Sequence, residues 1–146
     1  MTKYILNTDG GSRGNPGPAG AGAVLTDETG NKLKEASRPL GVMPNNEAEY
    51  QALLLGLDLA KKTIGKEKIK TAKIEARLDS ELVVRQLSGQ YQIKEERLQA
   101  LFMKIWNARV ETFKQLTFVH VPREKNRRAD QLANQAMDEA SKKPLF

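Results

Sequence analysis

The order of segments along the chain predicts a mixed α/β sheet with helices packed on it. Strand-like runs come first, later strands alternate with stretches of helical periodicity, and 39% of the 146 residues are hydrophobic, which favours a folded core. The length suits one domain and is too short to expect two. No internal repeat or low-complexity tract interrupts it.

Lys3 to Thr8 is a β-rich run with partial alternation, and the following GGSRGNPGPAGAG carries glycines and prolines that force a turn. GAVLTD, the polar turn DETGNK and KLKEASRPLG read as two further strands, antiparallel to each other. From Glu47 to about Lys62, Tyr50, Leu53, Leu54, Leu57, Leu59 and Ala60 recur at three- and four-residue spacing, the pattern of an amphipathic helix. Asn45 or Asn46 is expected to cap it, and Pro44 keeps it from starting earlier. TAKIEARL alternates Ala72, Ile74, Ala76 and Leu78 against charged residues as a half-buried strand does. Asp79-Ser80 stands where a short helix, ELVVRQLSG, needs a cap, and Gly89 ends that helix. A longer helix runs from about Glu95 to Val110 with Leu98, Leu101, Phe102, Ile105 and Trp106 on one face. LTFVHVP is a strand, and Asn126 to Ala140, with Leu132, Ala133 and Ala136, is the last helix.

The chain has no cysteine, which excludes disulfides, thiolate zinc sites and a thiol nucleophile. MTKYILNTDGG meets an acid at residue 9, so it lacks the apolar stretch of a signal peptide, and no later segment approaches a membrane span. A soluble, cytoplasmic protein is expected. The net charge of +6 is uneven: residues 1–50 carry 5 basic and 6 acidic groups, residues 51–146 carry 19 and 12. Such a basic surplus attracts phosphate backbones, although KKTIGKEKIKTAK also reads as a solvated lysine-rich face.

Four carboxylates stand at the ends of separate segments: Asp9 closing YILNTD, Glu49 in NNEAEY, Asp79 closing AKIEARLD and Asp130 in NRRAD. Singly, each reads as a turn former, an exposed helix acid or a cap. Together they lie where α/β sheets present ligand sites, and clustered acid oxygens bind hard Mg²⁺ or Mn²⁺ ions, a pair of which can drive phosphodiester hydrolysis.

The ordered set TDGGSRGNPGPAGAG, NNEAEYQALLLGL, LDSELVVRQL and HVPREKNRRADQLANQA resembles type 1 ribonuclease H across nearly the full length of the chain. The resemblance implies a ribonuclease H-like fold, a five-stranded mixed sheet flanked by helices, as a catalytic domain over residues 1–140 with a C-terminal tail at 141–146. It also implies endonucleolytic cleavage of the RNA strand of an RNA–DNA hybrid, leaving 5′-phosphate and 3′-hydroxyl ends. Carried over by position, Asp9, Glu49, Asp79 and Asp130 match the family's metal-binding carboxylates, with two ions, Mg²⁺ or alternatively Mn²⁺, supplying the chemistry. The pattern NNxxE selects Glu49 over Glu47, which two helical positions away points about 200° around the axis. Glu47 then reads as a first-turn acid favoured by the helix dipole. Asn15, Asn45 and Asn46 match positions that touch the hybrid's minor groove, where 2′-hydroxyls mark the RNA strand; each is equally a turn or cap residue.

Pro44 stands where many relatives have a phosphate-binding threonine, and Glu81 where a glutamine is common. His120 has the separation from Asp130 of the histidine that assists product release in some relatives, yet it lies inside LTFVHVP; Arg123 is the alternative assisting group, as a cation for the scissile phosphate. The tryptophan- and lysine-rich basic handle of other relatives is absent, because SGQYQIKEERLQAL runs straight into the next helix. Grip on the duplex is then expected from Lys94, Arg97, Arg123, Lys125, Arg127 and Arg128. The start at Met1 favours a stand-alone enzyme, read as a monomer with an RNA–DNA hybrid as partner and no membrane. A catalytically silent duplex-binding module of the same fold is the rival reading, which the intact four-acid set opposes.

Overall fold

Five strands form one sheet in the computed structural model, which describes residues 2–142: β1 (Lys3–Ser12), β2 (Gly17–Asp27), β3 (Lys32–Met43), β4 (Lys73–Leu78) and β5 (Gln115–His120), ordered β3-β2-β1-β4-β5. β1, β2 and β3 pair antiparallel, whereas β4 runs parallel to β1, and β5 parallel to β4. The four helices are α1 (Asn45–Ile64), α2 (Glu81–Leu87), α3 (Glu96–Glu111) and α4 (Arg127–Ser141). Among the described residues no helix is long and apolar enough to cross a membrane.

Side chains alternate across a sheet, so the two faces are built from different sets of residues. Leu6, Leu25, Ile74, Ala76, Leu78 and Leu116 form the main core with Tyr50, Leu53 and Leu57 of α1, Val83 of α2 and Leu98, Leu101 and Ile105 of α3. The opposite face carries Val24 against Ala129 and Leu132 of α4. Burying these side chains contributes roughly 1.5–3 kcal/mol each for the larger aliphatics. Both helix layers press closely on β1 and β2 because glycine stands beneath them. A Cβ at Gly10 would overlap the Ala48 carbonyl of α1, and one at Gly22 the Ala129 carbonyl of α4. Gly22 is the cross-strand partner of Asp9, so this close approach falls at that acid.

The structure corrects several expectations. β1 does not stop at residue 8 or 9; it continues to Ser12, and the turn is confined to residues 13–16, so Asp9 lies within its strand. Ladder bonds from Asp9–Ser12 to Ala19–Gly22 outweigh the weak strand propensity of glycine there. α1 is capped by Pro44 rather than by an asparagine side chain, with Asn45 and Asn46 forming its first turn. Trp106 is not in the core: α3 buries Leu98, Leu101 and Ile105, and Trp106 is 48% exposed. Ser80 does cap α2, its hydroxyl accepting the Val83 N–H at 3.2 Å. The segment 88–95 joins α2 to α3 without a helix of its own. Of the expected tail 141–146, Ser141 ends α4, and residues 143–146 lie outside the described residues.

Candidate active site

Asp9 and Asp79 are brought together by parallel register. Asn7 of β1 pairs with Arg77 of β4, and two residues further along the same period Asp9 stands beside Asp79, immediately after the end of β4. Glu49 comes from the first turns of α1, and Asp130 from the first turn of α4, where its N–H donates to the Asn126 carbonyl at 3.0 Å. All four acids line one open cleft of about 450 Å³, together with Gly11, Ser12, Asn45, Arg123 and Asn134 among others.

The charges in this cleft are poorly compensated. Burial, and then the neighbouring Asp79, Asp130 and Glu49 carboxylates, hold the Asp9 carboxyl far above its ordinary value. Burial also raises Glu49, to about 7, with the Ser80 hydroxyl pulling the other way and Asp79 adding to the rise. One oxygen of Glu49, Oε2, is buried with no hydrogen-bond partner. The nearest fixed cation is Arg123, 3.3 Å from Asp130 and 76% exposed at its side chain.

Hard carboxylate oxygens, an orphaned buried acceptor and unbalanced negative charge are what a divalent cation satisfies. Among the described residues no three acidic or histidine side chains close a ligand shell by themselves.

Glu47 lies outside this cleft and faces Arg97 at 3.7 Å, so the two helical positions have separate partners. Arg123 lines the cleft; His120 does not. His120 is in register with Leu78, and so belongs to the sheet face opposite the one shared by Asp9 and Asp79.

The asparagines form a hydrogen-bonded corner. Asn15 Oδ1 accepts the Asn45 N–H at 3.0 Å, and Asn45 Oδ1 accepts the Ser12 N–H at 2.8 Å and the Ser12 hydroxyl at 3.1 Å. Both carbonyl oxygens are thus engaged, while neither side-chain amide donates a hydrogen bond among the described residues. Asn46 makes no side-chain hydrogen bond among the described residues.

Several cations expected to grip a duplex are already engaged. Arg128 forms a two-pronged pair with Glu35 of β3 at 2.7 and 3.0 Å, Arg97 faces Glu47, and Arg123 faces Asp130. Arg128 therefore ties α4 to the edge strand, and its pairing holds the Glu35 carboxyl down at about 2.

In the sequence Asn126 reads only as the start of the last helix. It is 1% exposed, donates from Nδ2 to the Thr8 carbonyl at 2.9 Å, and accepts from Asn7 Nδ2 at 2.9 Å. A buried amide thus joins the strand segment just before Asp9 to the helix turn that carries Asp130. An asparagine four residues before an acid is too common a pattern to have revealed this.

The family profile described as Reverse transcriptase-like matches residues 7–136. Among curated proteins, the chain is similar to the Bifunctional protein Rv2228c of Mycobacterium tuberculosis, 41% identical over 140 residues, covering 95% of this chain and 36% of that protein. The chain therefore spans about a third of the length of that relative. It is also similar to Ribonuclease HI of Halobacterium salinarum, 39% identical over 132 residues, covering 90% of this chain and 63% of that protein. Among solved structures, LC11-RNase H1 in complex with an RNA/DNA hybrid superposes with a TM-score of 0.91 at 48% identity, covering 95% of this chain and 99% of that one.

Proposed function

The chain belongs to the type 1 ribonuclease H family, and from that premise we propose that it is an endonuclease hydrolysing the RNA strand of RNA–DNA hybrids to 5′-phosphate and 3′-hydroxyl ends. The observation that carries the reading is the convergence of Asp9, Glu49, Asp79 and Asp130 on one open cleft, with Arg123 paired to Asp130 at its mouth. The solved relative holding an RNA/DNA hybrid supports the substrate.

In this reading the four carboxylates hold two divalent ions, Mg²⁺ or alternatively Mn²⁺. Such ions, when bound, lower the pKa of water and offset the negative charge that develops on the phosphodiester. Asp9 and Asp79 are fixed by strand register, which keeps their separation constant while Glu49 and Asp130 close from the two helix layers. Asn15, Asn45 and Asn46 read the minor groove through their amide donors and select the strand that carries 2′-hydroxyls. Arg123, on the exposed turn before α4, steadies the scissile phosphate as a permanent cation. His120, the other candidate, ends β5 on the opposite sheet face and outside the cleft, so Arg123 is the assisting group in this reading. The catalytic unit is residues 1–140, acting as a monomer in the cytoplasm.

The test is one gel comparing end-labelled RNA–DNA hybrid, duplex RNA, duplex DNA and single-stranded RNA with Mg²⁺, Mn²⁺ or EDTA. Cutting is expected only in the RNA strand of the hybrid, only with metal, and not by Asp79→Asn. Equal cutting of duplex DNA, or cutting in EDTA, refutes the reading.

A further inference from the structure

The lysine-rich segment between α1 and β4 has no role in the cleft, yet it is held on a fixed scaffold. Ile69 is 1% exposed and acts as a buried peg, with the exposed Lys68 and Lys70 on either side of it. The turn is closed by the Ile69 N–H donating to the Gly65 carbonyl at 3.0 Å and the Thr71 N–H to the Lys68 carbonyl at 3.2 Å. Lys73 then opens β4, its N–H donating to the Thr2 carbonyl at 2.8 Å, and is in register with Lys3 of β1 and Gln115 of β5. Beside this turn the three strand starts enclose a groove of about 470 Å³ whose lining includes Lys3, Lys73, Arg109 and Lys114.

The acids in this region are largely committed. Glu75 is paired with Lys3 at 3.2 Å and with Arg77 at 2.6 Å, and Asp58 with Lys62 at 2.9 Å. Lys66, Lys68, Lys70, Lys73 and Lys114 are exposed and form no ion pair among the described residues, with Glu67 the acid that stands among them. Lys61 and Lys62 are explained by the C-terminus of α1, where cations complement the helix dipole. Lys114 likewise donates to the Val110 carbonyl in the last turn of α3, whereas Lys66, Lys68, Lys70 and Lys73 have no such partner among the described residues.

This pole lies at the N-terminal ends of β4 and β5, and the acidic cleft at the C-terminal end of β4. The six residue steps from Lys73 to Asp79 separate them by about 20 Å at the rise of a strand, roughly six base-pair steps of 3.4 Å. A duplex lying over four carboxylates needs its attraction from elsewhere, and of the six cations expected to grip it Arg97, Arg123 and Arg128 are occupied by Glu47, Asp130 and Glu35, which leaves Lys94, Lys125 and Arg127 without an ion pair among the described residues.

We propose that the groove between the starts of β1, β4 and β5, with the lysine-bearing turn at residues 66–73, is a second nucleic-acid contact that grips duplex phosphate backbone outside the catalytic cleft. The inference rests on the reading of the protein as a hybrid nuclease. Lysine, a mobile point charge rather than a planar fork, suits contact with successive phosphates without sequence or sugar preference. The surface therefore holds hybrid and duplex DNA alike, whereas the cleft selects what is cut.

The test is equilibrium binding in EDTA, across a salt series, of labelled hybrid and duplex DNA of about 10 and about 30 base pairs, the shorter being confined to the cleft. The variants are Lys66→Glu/Lys68→Glu/Lys70→Glu/Lys73→Glu and the corresponding quadruple glutamine variant, which removes charge without adding repulsion. Both are expected to bind the long duplexes at least about tenfold more weakly, with the salt slope reduced by roughly 2–3, because each lost phosphate contact removes about 0.9 from it. Binding of the short hybrid in EDTA, and its cleavage once Mg²⁺ is supplied, stay as in the unaltered protein. Unchanged affinity for the long duplexes overturns the proposal, and so does an equal loss on both lengths, which reports the net charge of the molecule rather than a surface at this pole. A loss confined to long duplex DNA and long hybrid, in a protein that fails to cut any hybrid, upholds this contact and overturns the proposed function instead.

Discussion

The side-chain amide of Asn126 donates to the main-chain carbonyl of Thr8 at 2.9 Å in the buried space between α4 and the sheet, one residue before Asp9 and four before Asp130. Two acids from opposite parts of the chain are thereby positioned by one amide. Asn126→Ala leaves the Thr8 carbonyl and the Asn7 amide without that partner, at a cost of roughly 2–3 kcal/mol. A thermal melt is expected to fall by about 5–10 °C for a domain of this size. Assayed far below that melt, kcat on hybrid should drop while KM stays, because the loss lies in the spacing of Asp9 and Asp130. A variant that melts lower yet retains full kcat would reduce Asn126 to a stabilising residue.

Glu49 and Glu47 differ by two positions and face different partners, a cleft of carboxylates and Arg97. Glu49→Gln is expected to lower cleavage by at least about 100-fold, the upper end of what even outer-shell partners of a metal site cost. Glu47→Gln should leave kcat within about twofold, since an ion pair of that exposure contributes below about 1 kcal/mol. Steady-state kinetics on one hybrid separates the two, and equal losses would contradict the assignment of Glu49.

The raised acids make stability depend on pH in a defined direction. Asp9 is held up to about 9 and Glu49 to about 7, against ordinary values of 3.8 and 4.5. Between the ordinary carboxylate range and those values the folded protein binds more protons than the unfolded chain, so unfolding becomes easier as pH rises. The metal-free protein should therefore melt highest near pH 4–5 and lose stability toward about pH 9 as far as these two groups decide. Asp9→Asn should flatten that decline, and millimolar Mg²⁺ should raise the melt more at about pH 8 than at about pH 5. Melts in EDTA that climb with pH, or that decline equally in Asp9→Asn, would count against the shared burial of these carboxylates.

Gly22 lets α4 rest on β2 directly beside Asp9. In Gly22→Ala the new methyl meets the Ala129 carbonyl, which is main chain and must shift with its helix. Overpacking of this kind costs about 1–3 kcal/mol and carries Asp130 outward. The expected result is a lower melt together with a weaker response to Mg²⁺, read by calorimetric titration. Undisturbed Mg²⁺ binding would mean that the helix accommodates the methyl without moving Asp130.

Residue types and their period were legible in the sequence. The three-to-four spacing from Tyr50 to Ala60 marked α1, alternation through Ile74, Ala76 and Leu78 marked β4, and the four acids stood out with Glu49 preferred to Glu47. These signals are local, because each residue's preference depends on neighbours within a turn or a strand. What the period could not say was how far β1 would run: cross-strand hydrogen bonds to β2 carry it past Asp9 through two glycines, and only the partner strand supplies those bonds.

The partners of each side chain were decided by tertiary structure alone. Trp106 shares the helical period of Leu98 and Ile105 but finds no layer to cover it, and Arg128 meets Glu35 across 93 residues of sequence instead of awaiting a phosphate. His120 fits the spacing of an assisting group, yet its register with Leu78 assigns it to the other face of the sheet. Local pattern along the chain dictated that four carboxylates would stand at element boundaries and which family pattern they follow. Parallel register between β1 and β4, and the buried Asn126 amide between β1 and α4, brought them to one cleft, because convergence depends on contacts between segments that are distant along the chain.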